Sequence, residues 1–198
     1  MRISGGRLRI AQVFSLALAI ALCAGAYGTP RALAQGREAS EYQVKAAFLY
    51  NFVKFVEWPS EAAQGVDDPI TICIVGEDPF GIVLDEALEG KSINGHKLAA
   101  RRLKAGQNVR GCKVAFISTS EKSRVPSVLD SLKGASVLTV GDTPGFADLG
   151  GVINFTMQES RVRFEINVDA AERAGLKISS KLLNLATIIK EQERGRKG

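Results

Sequence analysis

The chain has 198 residues with 45% hydrophobic, 24% charged and 7% aromatic content, an ordinary globular composition with enough apolar surface for one core. That excludes a disordered protein, a collagen-like repeat, a coiled coil and a multispan membrane protein. The formal net charge is +5, but the first 34 residues hold Arg2, Arg7, Arg9 and Arg31 and no acid, so the remainder carries 22 Lys+Arg against 21 Asp+Glu. Basic character therefore gives no case for a nucleic-acid partner.

Residues 1–34 have the three parts of a secretory signal peptide. Arg2, Arg7 and Arg9 form a basic start, an apolar stretch runs from Ile10 to about Ala26, and Ala32-Leu33-Ala34 offers small residues for cleavage before Gln35. The apolar run is short for a spanning helix and is broken by Gly25, Gly28 and Pro30. Cys23 is a poor lipoprotein site, because Leu22 stands where a small residue is expected. The expectation is an exported chain that does not span the membrane after cleavage. Residues 35–39 then form a short linker, 40–192 one domain and 193–198 a flexible basic tail. Export also bears on the cysteines. Cys73 and Cys112 remain, and in an oxidising compartment a structural bridge is expected, with two buried thiols as the alternative. They lack the CxxC spacing of redox or zinc chemistry.

A helix is predicted over 40–58, with Ser40 and Gln43 as a capping box and Trp58-Pro59 as its stop. Its stripe Val44, Ala47, Phe48, Asn51, Phe52 and Phe55 has the spacing of a buried face. Leu49, Val53 and Val56 lie away from that stripe, so the helix is either sandwiched in the core or in contact with a partner, with Phe48 and Phe52 as candidate contacts. Ile70–Val75 is an apolar run of strand length, and Asp78-Pro79 caps a helix over Phe80–Leu88. Strands are expected over Lys97–Leu103, Lys113–Ile117 and Ser136–Val140, with a helix over 121–133. A loop containing Gly141, Gly145, Gly150 and Gly151 follows. Strands 152–157 and 161–167 are joined by the turn Gln158-Glu159-Ser160. In the second of them Val162, Phe164 and Ile166 share one face, and Arg163, Glu165 and Asn167 the other. A last helix is predicted over about 179–192, with Leu182, Leu185, Ala186 and Ile189 on one face. The alternation implies a single three-layer α/β domain: a mostly parallel sheet, helices on both faces and an antiparallel hairpin at one edge.

Motifs for catalysis are missing. The single histidine, His96, excludes a multi-His zinc site, and no GxSxG elbow occurs. Gly76-Glu77-Asp78-Pro79-Phe80-Gly81 sits where a dinucleotide motif would sit, but lacks the GxGxxG spacing and the lysine of a P-loop. No catalytic residue, metal or cofactor is assigned, and an enzyme is not expected. If a small molecule binds, the carboxyl ends of the strands are its place, near Gly76, Asp78, Phe80 and Asp142, although loop aspartates commonly serve turns. Seven Lys/Arg and no acid lie between Lys91 and Lys113. An anionic partner would fit them, but a solvated edge strand is the preferred account.

Tyr42-Gln43-Val44-Lys45-Ala46-Ala47-Phe48-Leu49-Tyr50-Asn51-Phe52 followed by Trp58-Pro59 resembles the opening of the YfiR/HmsC-like family of periplasmic proteins. The resemblance continues at Ile74-Val75-Gly76 and Phe80-Gly81, returns at Gly150–Phe155 and Val162–Asn167, and closes at Leu176–Leu183. It implies a homodimeric periplasmic repressor that holds off an inner-membrane diguanylate cyclase by binding its periplasmic sensor domain. A sensing module that binds a small molecule, working with a sensor kinase or an outer-membrane receptor, is the alternative. The resemblance puts Cys73 and Cys112 at one family disulfide. A second pair, around the Gly141–Gly151 loop, is missing here. It also puts Glu165, flanked by Arg163 and Asn167, in the block where the family's partner surface is thought to lie.

Overall fold

In the computed structural model, residues 31–59, 68–104 and 106–190 are described, with side chains from residue 40 onward. The expected leader falls outside this range up to residue 30, as does the basic tail. From residue 31 the backbone is helical. Residues Ala39–Gly198 form one compact unit, separate from Met1–Glu38. Among the described residues no helix is long and apolar enough to cross a membrane.

The elements in chain order are α1 (Arg31–Phe55), β1 (Val56–Glu57), β2 (Ile70–Val75), α2 (Ile82–Leu88), β3 (Ser92–Ile93), β4 (His96–Leu103), β5 (Val114–Ile117), a 3-10 turn (Thr119–Arg124) leading into α3 (Val125–Ser131), β6 (Leu138–Gly141), β7 (Ile153–Gln158), β8 (Arg161–Asn167), α4 (Val168–Arg173), β9 (Lys177–Ile178), α5 (Ser180–Leu183) and β10 (Thr187–Ile189). Eight strands make one sheet in the order β10-β8-β7-β6-β5-β2-β4-β3, and β1 pairs with β9 separately. From β4 through β7 the neighbours are parallel. The β7–β8 hairpin is antiparallel, as expected, and turns through Glu159 and Ser160, both at positive φ (47° and 63°). Two such residues match the right-handed twist of the strands they join. The expected α/β sheet stands, with β10 added parallel to β8 outside the hairpin.

Alternation along the buried strands feeds two cores. On one face Ile70, Ile72 and Ile74 of β2 join Val114 and Phe116 of β5, under Ala46, Leu49, Phe52 and Val53 of α1 and Leu84 and Leu88 of α2. On the other, Cys73, Val75, Ala115 and Ile117 pack with Val125, Leu132 and Phe146. The disulfide joins Cys73 to Cys112 across this second core, with 5.9 Å between Cα atoms. It staples β2 to the entry of its neighbour β5.

Several boundaries differ from the sequence expectation. The helix does not begin at Ser40, since α1 is already helical from Arg31, and it ends at Phe55 because Val56 and Glu57 pair with Ile178 and Lys177. Its most buried residues are Lys45, Ala46, Leu49, Phe52 and Val53, while Val44 of the expected stripe is 43% exposed. Both stripes are apolar at helical spacing, so periodicity could not rank them. The α2 helix starts two residues late, because the Asp78 side chain accepts from the Phe80 N–H and closes a turn there. The first four residues of the expected 121–133 helix, 121–124, belong to a 3-10 turn, and the α-helix runs Val125–Ser131. The predicted last helix is overturned. Ser179 caps a single turn, α5, and the β-branched run Thr187-Ile188-Ile189 pairs with β8 as a strand, leaving Leu185 exposed. The short α4 was hidden because Asn167, its cap, also ends β8.

Replacing Cys73 by serine should lower unfolding stability by roughly 4 kcal/mol, the loop-closure value for about 40 residues. Denaturant unfolding of the wild type with and without reductant checks this, and equal midpoints would contradict it.

Candidate functional site

The chain leaves β2 toward β4 on one side and returns to β5 and β6 on the other, so the carboxyl ends of β2 and β5 flank a topological switch point. Gly76 follows β2 at φ 94°, and a Cβ there would lie 2.5 Å from Ser120 Oγ. That hydroxyl accepts from the Glu77 N–H at 2.9 Å. Asp142 follows β6 and is the hub of the region. Its Oδ2 accepts from the Tyr42 hydroxyl and from Lys45 Nζ, each at 2.8 Å, and its Oδ1 accepts from the Thr119 hydroxyl at 2.8 Å. Lys45 also pairs with Glu41 one helical turn back, at 2.6 Å, and its Nζ sits 4.3 Å from the centre of the Tyr42 ring. The Lys45 and Asp142 side chains are 4% and 6% exposed. Beneath them Tyr42 meets Phe80 edge-on at 5.2 Å, and Phe80 meets Phe116 at 4.8 Å.

Of the four residues expected at a small-molecule site, Gly76 and Asp142 therefore border the switch point. Phe80 is core. Asp78 faces the other way, capping its turn and accepting from Arg102 Nε at 2.9 Å. Tyr42 and Lys45 cover Asp142 there. Neither residue was singled out from sequence, because nothing local links position 45 to a loop aspartate almost a hundred residues on. A wide groove of about 1530 Å³ lies elsewhere, between α3, the Asp148–Gly150 loop, α4 and β10.

The residues expected at a partner surface separate into three environments. Phe48 and Phe52 turn inward onto Phe155 and Phe164 of the hairpin, with ring centres 5.2 to 6.1 Å apart. Phe52 is fully buried and Phe48 half-buried, so both contribute to the core. On the opposite face of the hairpin, Glu165 is half-buried and Arg163 exposed. Glu165 stands across from Asn154, whose amide donates to its Oε2 at 3.0 Å. Asn167 is fully buried: its amide donates to the Ala147 carbonyl and its Oδ1 accepts from the Ala170 N–H, both at 2.8 Å. It ties the glycine-rich loop to the start of α4.

Of the basic run, Lys97, Arg101 and Arg102 lie on β4 near the sheet edge, as expected, whereas Arg110 and Lys113 lie off it. The outer neighbour of β4 is the two-residue β3, which pairs only with His96 and Lys97. Arg110 donates to the carbonyls of Ser131 and Lys133. Lys113 lies 5.9 Å from the Trp58 ring centre, and burial pulls its pKa below the usual lysine range. Arg102 spans Asp78, Asp85 and the Gly81 carbonyl. Its hydrogen bonds to Asp85 hold that carboxyl below the usual carboxylate range and raise the guanidinium. Because the Asp85 pKa is lowered by folding, this stabilisation is present above the ordinary aspartate range and is lost as pH falls through the folded value. Arg102→Ala should cost about 1 kcal/mol at neutral pH once solvent screening is allowed for. Urea unfolding at two salt concentrations and at pH 7 and 3 checks it, and the loss should shrink with salt and with acid.

In comparison with known proteins, the model of a family described as YfiR/HmsC-like matches residues 42–187. Two solved structures match part of the chain. A conserved domain protein from Vibrio cholerae O1 biovar eltor str. N16961 is 13% identical, with a TM-score of 0.47 over 62% of this chain and 55% of that one. The ABC domain from Streptococcus pneumonia, solved in complex with L-Trp, is 11% identical, with a TM-score of 0.44 over 60% and 55%. The chain thus matches just over half the length of each.

Proposed function

Because the chain belongs to the YfiR/HmsC-like family, whose members are periplasmic regulators of cyclic di-GMP signalling, we propose that it binds the periplasmic sensor domain of an inner-membrane diguanylate cyclase and represses cyclic di-GMP synthesis. In this reading it is an exported, non-catalytic repressor that acts as a homodimer. The observation that carries the contact surface is the outer face of the β7–β8 hairpin. There Glu165, oriented by Asn154, and Arg163 offer opposite charges on a strand whose other face is clamped by aromatic rings. A rigid strand holding a half-buried carboxylate loses little conformational freedom on binding, which favours specific recognition. The sensing-module reading would place its ligand at the switch point, where Tyr42 and Lys45 bond to Asp142.

The test uses purified residues 35–198, oxidised, against the sensor domain of a diguanylate cyclase from the same organism. Glu165→Lys should weaken binding at least about tenfold, equivalent to 1.4 kcal/mol, in a variant that still unfolds cooperatively. Unchanged affinity would move the contact off this face. Absence of binding by the wild type to any membrane cyclase of that organism would overturn the repressor reading.

A further inference from the structure

Besides the packing of Ala46, Leu49 and Val53 on the first core, two attachments hold α1 to the rest of the fold, and they differ in kind. Phe48 and Phe52 are wedged against Phe155 and Phe164, an apolar contact with no alternative partner in water. One turn earlier, Glu41, Tyr42 and Lys45 are held through polar groups that converge on one carboxylate, Asp142. All of these groups regain good partners in water if they separate. Stripping one partner from a nearly buried ion pair leaves the other charge uncompensated, so the contact is either made as a set or released as a set. That is the behaviour of a two-state element.

We propose that the Glu41–Lys45 turn of α1 is a latch over the switch-point crevice, with Asp142 as its catch, and that its release changes the affinity of the β7–β8 hairpin for a protein partner. The coupling is physical: the same helix carries the latch and, at Phe48 and Phe52, the clamp on the inner face of the strands whose outer face bears Arg163 and Glu165. Opening the helical turn that carries Tyr42 and Lys45 removes the support one turn before Phe48 and lets the rings shift against Phe155 and Phe164. Release also uncovers the Asp142 carboxylate, the Thr119 hydroxyl and the edge of Phe80 at the carboxyl ends of the strands, where sheets of this class accept ligands. A latch of this kind gives a periplasmic signal a way to act at a distance from the partner surface. The coupling half of the proposal rests on the partner surface proposed above. The latch half does not.

Hydrogen exchange of the oxidised mature chain tests the latch without any partner present. In Asp142→Asn and in the milder Thr119→Val, amides of residues 41–46 should exchange at least tenfold faster than in wild type, with those of Val114–Ile117 unchanged. Acceleration spread equally over both segments, or confined to neither, would overturn the latch. Affinity for the sensor domain, measured on the same variants, tests the coupling, and a change of at least threefold in either direction is expected. Faster exchange at 41–46 with unchanged affinity would overturn the coupling alone. Failure of the wild type to bind the sensor domain would overturn the proposed function and leave the exchange result standing.

Discussion

Four phenylalanine rings hold the first helix of this domain to the strands that come near its end. Phe48 and Phe52 project from α1 onto Phe155 and Phe164, which face each other across the hairpin register, and all four lie within about 6 Å of a neighbour, centre to centre. Aromatic pairs at that distance add to the apolar area they bury. Because the chain between them builds the parallel strands, this contact closes the fold on itself. It also explains why α1 is apolar on more than one side. One stripe meets the sheet, and Phe48, on the next, completes the aromatic cluster.

Charge is distributed in two ways around that frame. Along β4 it is solvated, with Arg102 bridging two aspartates at an exposed edge, where an ion pair adds little and mainly keeps other strands away. At the switch point it is enclosed, with Lys45 and Asp142 nearly inaccessible and each satisfied by further hydrogen bonds. An enclosed pair of this kind is a poor source of net stability, since both ions lose their water, but it tolerates only one arrangement of the groups around it. It specifies where α1 lies.

The glycine-rich loop between β6 and β7 has a packing role that its composition does not announce. Phe146 folds back over the strand ends, and Cβ atoms at Gly141 and Gly151 would lie 2.7 and 2.0 Å from its ring. These two glycines are there for space rather than for flexibility. With Asn167 bonded to the Ala147 carbonyl, the loop is a fitted cover over the second core. The loop is thus held by a ring in a slot and an asparagine bracket.

What the sequence determined by itself is what neighbouring residues encode. Ile70–Val75 and Val114–Ile117 are strands because unbroken apolar runs of that length suit a sheet covered on both faces, and the 153–167 hairpin follows from alternation around a short polar turn. The cysteine pair and the family blocks belong to the same layer of information. The last strand was lost because Leu182, Leu185, Ala186 and Ile189 happen to fit a helical period, while the pairing of Thr187–Ile189 with β8 depends on a neighbour some twenty residues earlier. Only the tertiary structure decided that Asp142 binds Tyr42 and Lys45, that Asn167 turns inward, and that the second stripe of α1 is the buried one. Each of these depends on which distant group reaches the same point in space. Periodicity records the faces of an element, whereas hydrogen bonds and close packing are settled by what those faces meet.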